Sequence, residues 1–153
     1  MTRPELDAVD RQLLDLLIED GRRSYADLAR ETGLSTSAAH QRVRRLEQRG
    51  IIAGYSARVD PDALGLPLAA FVSVKAIDPA APDDAPDKLQ ALRAVEACHS
   101  VAGDESYILQ VRVSGPAALE ALLQEIRSVA GVSTRTTVVL STPWERRTAR
   151  PED

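Results

Sequence analysis

Apolar positions in the first third of the chain recur at steps of three and four. Leu6, Val9, Leu13, Leu16 and Leu17 form the first such set and Asp20-Gly21 supplies a stop, which predicts a helix. In SYADLARET, Ser24 is placed to cap a second helix whose Leu28 and Ala29 face inward, and Gly33 suits the left-handed residue that closes it. Ser35 then caps a third helix, in which Ala39, Val43 and Leu46 fall in one narrow sector, and Gly50 ends it. Two short helices joined by a tight turn containing Gly predict a helix-turn-helix, here in a winged-helix-like setting.

Beyond Gly50 the period changes. The run IIAGYSARVD alternates roughly, and Pro61, Gly65 and Pro67 punctuate the residues after it, so a hinge strand and linker are expected over residues 55–67. From Leu68, LAAFVSVKA reads as a strand, DPAAPDDAPD as a loop and DKLQALRAV as a helix. EACHSVAG and SYILQVRV read as strands, GPAALEALLQEIRSVAG as a helix with Pro116 in its first turn, and STRTTVVLS as a last strand. That order, βαββαβ, is the ferredoxin-like arrangement, with two helices on one face of an antiparallel sheet. The fold class is therefore α+β: a helix-turn-helix domain over residues 1–54, the hinge, a ferredoxin-like domain over 68–142 and a polar tail over 143–153. On the predicted strands Tyr107, Leu109, Val111 and Val113 share one face and Ile108 takes the other, as Phe71 opposes Val72 and Val74. An apolar content on both faces predicts that a second copy of the chain covers the open one.

Composition narrows the class. Hydrophobic residues are 44% of the chain but aromatics only 3%, so the core must be aliphatic. A single cysteine excludes an internal disulfide framework, MTRPELDAVD lacks the apolar centre of a secretory signal, and no run approaches the ~18 apolar residues of a membrane span. The expectation is a cytoplasmic protein without a membrane partner. The net charge of -4 argues against a general polyanion binder, yet residues 35–50 hold four arginines against Glu47 alone, and surface potential follows local charge. On the third helix Ser37, Gln41, Arg44, Arg45 and Gln48 lie opposite the apolar sector. An arginine-rich helix face is by itself an ordinary solvated surface; the helix-turn-helix before it points it at double-stranded DNA. There Ser37 and Gln41 are placed to read base edges, where Gln can pair with adenine and Arg with guanine, and Arg44 and Arg45 share the same outward, DNA-facing side. Arg42, Arg49, Ser35 and Thr36 are better placed for phosphates, and His40, on the flank, suits either role.

Chemistry for turnover is missing. Cys98 and His99 are neighbours on a strand and point to opposite faces, so a buried structural cysteine is expected rather than a nucleophile and base. One cysteine and two separated histidines do not make a metal site, the acids Asp83, Asp84 and Asp87 suit a helix start, and no Gly-rich phosphate loop is present. No catalytic residue, metal or cofactor is assigned.

The motifs LD..D, DGR, LA...GLS, RV.RLE..G.I and GY.A..DP...G, strung along residues 6–65, resemble the amino-terminal half of the leucine-responsive/asparagine regulator (Lrp/AsnC, feast/famine) family of prokaryotic transcription regulators. With the βαββαβ half the resemblance runs over about residues 6–142, and SVAGDESYIL is similar to actinobacterial members linked to amino-acid metabolism. It implies a cytoplasmic, nucleoid-associated regulator. The family's second domain binds a small effector, typically an amino acid, and gathers homodimers into larger assemblies, with an octamer expected. The effector site is implied around the loop joining the second and third strands, with Ser100, Gly103, Asp104, Glu105 and Ser106 as candidates. Many members carry aspartate where this chain has Ser106, so Asp104 or Glu105 would supply the charge for an ammonium group, and Thr134 and Thr136 would offer hydroxyls. The rival classes are a metabolite-binding module or enzyme built on the ferredoxin-like half, and a sequence-independent DNA compactor. Retained sequence preference against bulk DNA, or turnover of a bound metabolite, would separate them.

Overall fold

The computed structural model describes residues 6–145, apart from 79 and 81. The chain divides into two compact units: one runs to Arg58 and takes in Glu145, the other is Val59–Trp144.

The first unit is built on α1 (Ala8–Glu19), α2 (Tyr25–Thr32) and α3 (Thr36–Gln48). Each starts on a side-chain cap that satisfies an otherwise unpaired amide. Asp7 accepts from the Asp10 amide at 2.7 Å, Ser24 from Asp27 at 3.1 Å and Ser35 from Ala38 at 3.2 Å. Leu13, Leu28, Ala29, Ala39 and Val43 form the buried centre, with Val9, Leu16, Leu17, Leu34 and Ile52 packed around it. Each large side chain buried this way contributes about 1.5–3 kcal/mol. Gly33, at φ 69°, turns the chain from α2 into α3, and its amide donates to the Ala29 carbonyl.

The second unit holds a four-stranded antiparallel sheet in the order β2-β3-β1-β4. Its strands are β1 (Leu68–Ala76), β2 (Val95–Ser100), β3 (Tyr107–Val113) and β4 (Val132–Val138), with α4 (Ala85–Leu89) and α5 (Pro116–Ala130) between them. Ala70, Val72 and Val74 pair with Val111, Leu109 and Tyr107 on one side of β1 and with Val138, Thr136 and Thr134 on the other. This face takes the apolar side of the helices, through Ala85, Leu89, Leu119, Leu122 and Ile126. The opposite face presents Phe71, 44% exposed, together with Ser73, Lys75, Ile108 and Arg135.

Three expectations are corrected. The helix predicted over DKLQALRAV is the shorter α4, because Leu92 and Val95 donate into successive turns and the Ala94 carbonyl is already taken by Arg112 of β3. Residues 53–67 contain no strand: alternation alone does not make one, since a strand needs a neighbour for its hydrogen bonds, and the pairs of the sheet are made by β1 to β4. Cys98 is exposed rather than buried, because β2 is an edge strand.

Candidate functional site

The outward side of α3 is set by its inward side. Ala39, Val43 and Leu46 are buried, which fixes the rotation of the helix and leaves Ser35, Thr36, Ser37, His40, Gln41, Arg44, Arg45 and Arg49 exposed. The Ser35 hydroxyl caps the helix and lies 3.2 Å from that of Ser37. His40 meets the ring of Tyr25 edge-on at 4.7 Å, a contact that ties the flank of α3 to the start of α2.

The four arginines are not alike. Arg42 is partly buried and donates through one nitrogen, Nη1, to Asp7 at 2.6 Å and Asp10 at 2.8 Å. Arg45 donates to both oxygens of Asp10, at 3.2 and 3.0 Å. The Asp10 side chain is only 2% exposed. The hydrogen bond from Arg42, helped by the Asp10 amide, holds the Asp7 carboxyl below the usual carboxylate range, and the two acids raise the Arg42 guanidinium in turn. Among the described residues no carboxylate pairs with Arg44 or Arg49. Sequence reasoning missed Asp7 and Asp10. Their signal was present, as two acids three apart at the start of a helix, but nothing along the chain joins them to arginines over 30 residues away.

A further contact anchors the end of α3. The Tyr55 hydroxyl donates to Glu47 at 2.9 Å, and burial, then that carboxylate, pushes the phenol up to about 12. A Cβ added at Gly21 would lie 3.3 Å from the Tyr55 ring, so a larger residue in the DGR motif would push the ring a few tenths of an ångström from the turn after α1.

In the second unit, the loop between β2 and β3 borders a shallow cavity of about 220 Å³ lined by Ser73, Lys75, Asp104, Glu105, Ser133, Thr134 and Arg135. The sheet register brings these together: Ser73 pairs with Arg135 and Lys75 with Ser133. Glu105 accepts from Arg135 in a close ion pair. Cations and carboxylates thus lie side by side, the donor set that a zwitterion needs. Of the seven residues expected here, Asp104, Glu105 and Thr134 line the cavity. Ser100, Gly103, Ser106 and Thr136 do not: Ser100 pairs with Tyr107 on the sheet edge away from β4, Thr136 lies opposite Val72, two residues further along β4 from the loop than Thr134, and the Ser106 amide is spent on the Val74 carbonyl at 3.0 Å. Lys75, Ser73, Ser133 and Arg135 went unnoticed because their proximity depends on β1–β4 pairing.

Other candidate groups do not assemble into sites. Cys98 pairs with Leu109 and His99 with Ile108, so they lie on opposite faces. Asp83 accepts from the Tyr107 hydroxyl at 2.7 Å and Asp84 pairs with Lys88 at 2.9 Å.

Comparison with known proteins agrees with both halves. Residues 6–47 match the AsnC-type helix-turn-helix domain and residues 69–149 the Lrp/AsnC ligand binding domain. The chain is 52% identical over 142 residues to the HTH-type transcriptional regulator LrpA of Mycobacterium tuberculosis, covering 93% of this chain and 95% of that one. It is 39% identical over 141 residues to the leucine-responsive regulatory protein of Escherichia coli K12, covering 89% and 85%. Among solved structures, a feast or famine regulatory protein from M. tuberculosis complexed with L-methionine superposes with a TM-score of 0.93 at 51% identity, over 96% of this chain and all of that one.

Proposed function

The chain belongs to the Lrp/AsnC family of transcription regulators, and on that premise we propose how its two units divide the work. The helix-turn-helix reads DNA through α3. Ser37 and Gln41 contact base edges, His40 borders them, and Ser35, Thr36, Arg44 and Arg49 meet the backbone. The observation that carries this is the rotation of α3: its apolar side is consumed by the core, so the hydroxyl, amide and guanidinium groups have no other direction to face.

The cavity beside the β2–β3 loop takes an amino acid. Arg135 and Lys75 receive its carboxylate, and Asp104 and Glu105 its ammonium group. L-methionine, the molecule bound by the M. tuberculosis relative, is the first candidate. Copies of the chain associate over the open face of the sheet, where Phe71 and Ile108 lie, into dimers and then a larger assembly such as an octamer. The effector acts on DNA binding only as far as it prefers one assembly to another. The setting is cytoplasmic, on the nucleoid.

The test is a thermal-shift panel of the standard amino acids on wild type and Glu105→Ala. A ligand at a hundred times its Kd adds about 2.7 kcal/mol to the state that binds it. A stabiliser that loses its effect in Glu105→Ala supports the site. One that keeps its full effect places the site elsewhere, and a panel with no stabiliser refutes the amino-acid reading.

A further inference from the structure

Three arginines on α3 and a fourth at its C-cap, Arg49, would suggest four cations offered to DNA, but two of them are already committed. Arg42 Nη1 lies between two carboxylates, at 2.6 Å from Asp7 and 2.8 Å from Asp10. Arg45 holds Asp10 at 3.0 Å. If these arginines left for a phosphate, Asp10 would stay behind as a buried charge without a partner, which is strongly unfavourable. Asp7 cannot drift to release Arg42 either, because its other oxygen caps α1. Arg44 and Arg49 carry no such tie among the described residues and are exposed.

We propose that Asp10, seconded by Asp7, is a positioning residue that withholds Arg42 and Arg45 from the DNA backbone, so that of the four arginines only Arg44 and Arg49 bind phosphates. This rests on the reading of α3 as the DNA-facing helix. The consequence is discrimination. Attraction to phosphates is the same for every sequence, whereas base contacts differ between sequences, so lowering the first raises the share of binding that Ser37 and Gln41 decide. It also explains how a dense arginine run can sit on a regulator without making it an indiscriminate polyanion binder: two positive charges are cancelled where they stand.

The experiment measures the affinity of the full chain for a random-sequence duplex as a function of salt. Each phosphate contact contributes about 0.9 to the slope of log affinity against log salt. Arg44→Gln should flatten the slope by about that amount per bound protomer, whereas Arg42→Gln should leave it at the wild-type value. Asp7→Asn, which keeps an N-capping side chain, removes the shorter of the two bonds on Arg42 and leaves Asp10 still neutralised by Arg45, so Arg42 should be released, steepening the slope and strengthening low-salt binding. Asp10→Asn should steepen it further. Adding Arg42→Gln to Asp7→Asn should restore the wild-type slope; because Arg42→Gln alone leaves the wild-type slope unchanged, that dependence on background identifies the freed arginine as the source, whereas a bare net-charge effect would give Arg42→Gln the same change in both backgrounds. Purely structural pairs would shift the melting temperature and leave the slopes of Asp7→Asn and Asp10→Asn at the wild-type value. If Arg42→Gln flattens the slope as much as Arg44→Gln, or if Asp7→Asn leaves it unchanged, the proposal is overturned whether or not Asp10→Asn folds. If wild type binds no duplex with any salt dependence, the DNA-facing reading of α3 fails first and the proposal with it.

Discussion

Gly33 offers the sharpest test of how the helix-turn-helix is held. It ends α2 at φ 69° and ψ 20°, its amide bonds the Ala29 carbonyl, and the next amide, Leu34, donates to the same carbonyl at 2.9 Å. A Cβ built there would meet nothing within 4 Å, so steric crowding contributes nothing to the cost of Gly33→Ala. What remains is the backbone: an L-residue in the left-handed region costs about 1–2 kcal/mol, offset in part by the smaller unfolded-state entropy of alanine, for a net loss of about 1 kcal/mol. In a small domain that lowers the melting temperature by about 4–8 °C. Gly33→Asn should recover much of this, because asparagine visits the same region far more readily. Differential scanning calorimetry of the full chain decides it, with Leu46→Ala identifying the transition of the helical unit: that fully buried side chain should cost about 2–5 kcal/mol. Melting of Gly33→Ala like wild type, or Gly33→Asn falling below Gly33→Ala, would refute the argument from backbone handedness.

Two further outcomes test the remaining framework. Ile126→Ala, in the centre of the ferredoxin-like core, should destabilise the second unit by about 2–5 kcal/mol in urea denaturation, and a near-neutral result would mean that α5 does not seal the sheet. Asp7 tests the sign of a pH effect. Its folded carboxyl titrates below the usual 3.8, chiefly because Arg42 donates to it, so its stabilising contribution is present above that value and is lost as pH falls through the lower folded value. Wild type should therefore exceed Asp7→Asn in urea midpoint at neutral pH and converge on it in acid; a constant gap down to the lowest pH would show that the carboxylate charge is not the cause.

How far the sequence could be read depends on which interactions are local. The three helices of the first unit were legible because their signals lie within a few residues of one another: Ser24 and Ser35 three places before the amides they cap, and Ala39, Val43 and Leu46 on one helical stripe. The βαββαβ order was legible from alternation for the same reason. The end of α4 was not, since it is set by Ala94 being drawn into the sheet by Arg112, a partner on another strand. Thr136 was expected beside a ligand from its chemistry and its strand, but it pairs with Val72, further from the β2–β3 loop than Thr134, whose partner Val74 lies opposite Tyr107 at the end of that loop. Asp104 and Glu105 were found because the loop that carries them is short and contiguous, whereas Arg135 enters the same cavity from the far edge of the sheet.

The two candidate sites share a physical logic that residue counts conceal. In each, a cation that composition would offer to a ligand already has a carboxylate partner: Arg42 and Arg45 with Asp10 in α1, Arg135 with Glu105 in the loop. What separates them is burial. Asp10 is 2% exposed, so removing its arginines strands a charge away from water, and the pairing holds against a phosphate. Glu105 and Arg135 are 24% and 75% exposed, so their separation leaves both groups within reach of solvent and costs little. A zwitterion can then exchange partners with that pair, its carboxylate taking Arg135 as its ammonium group takes Glu105, with no net charge left unpaired. The same kind of contact is therefore a fixed brace in the helical unit and an exchangeable one in the proposed effector cavity, and burial of the acid decides between them.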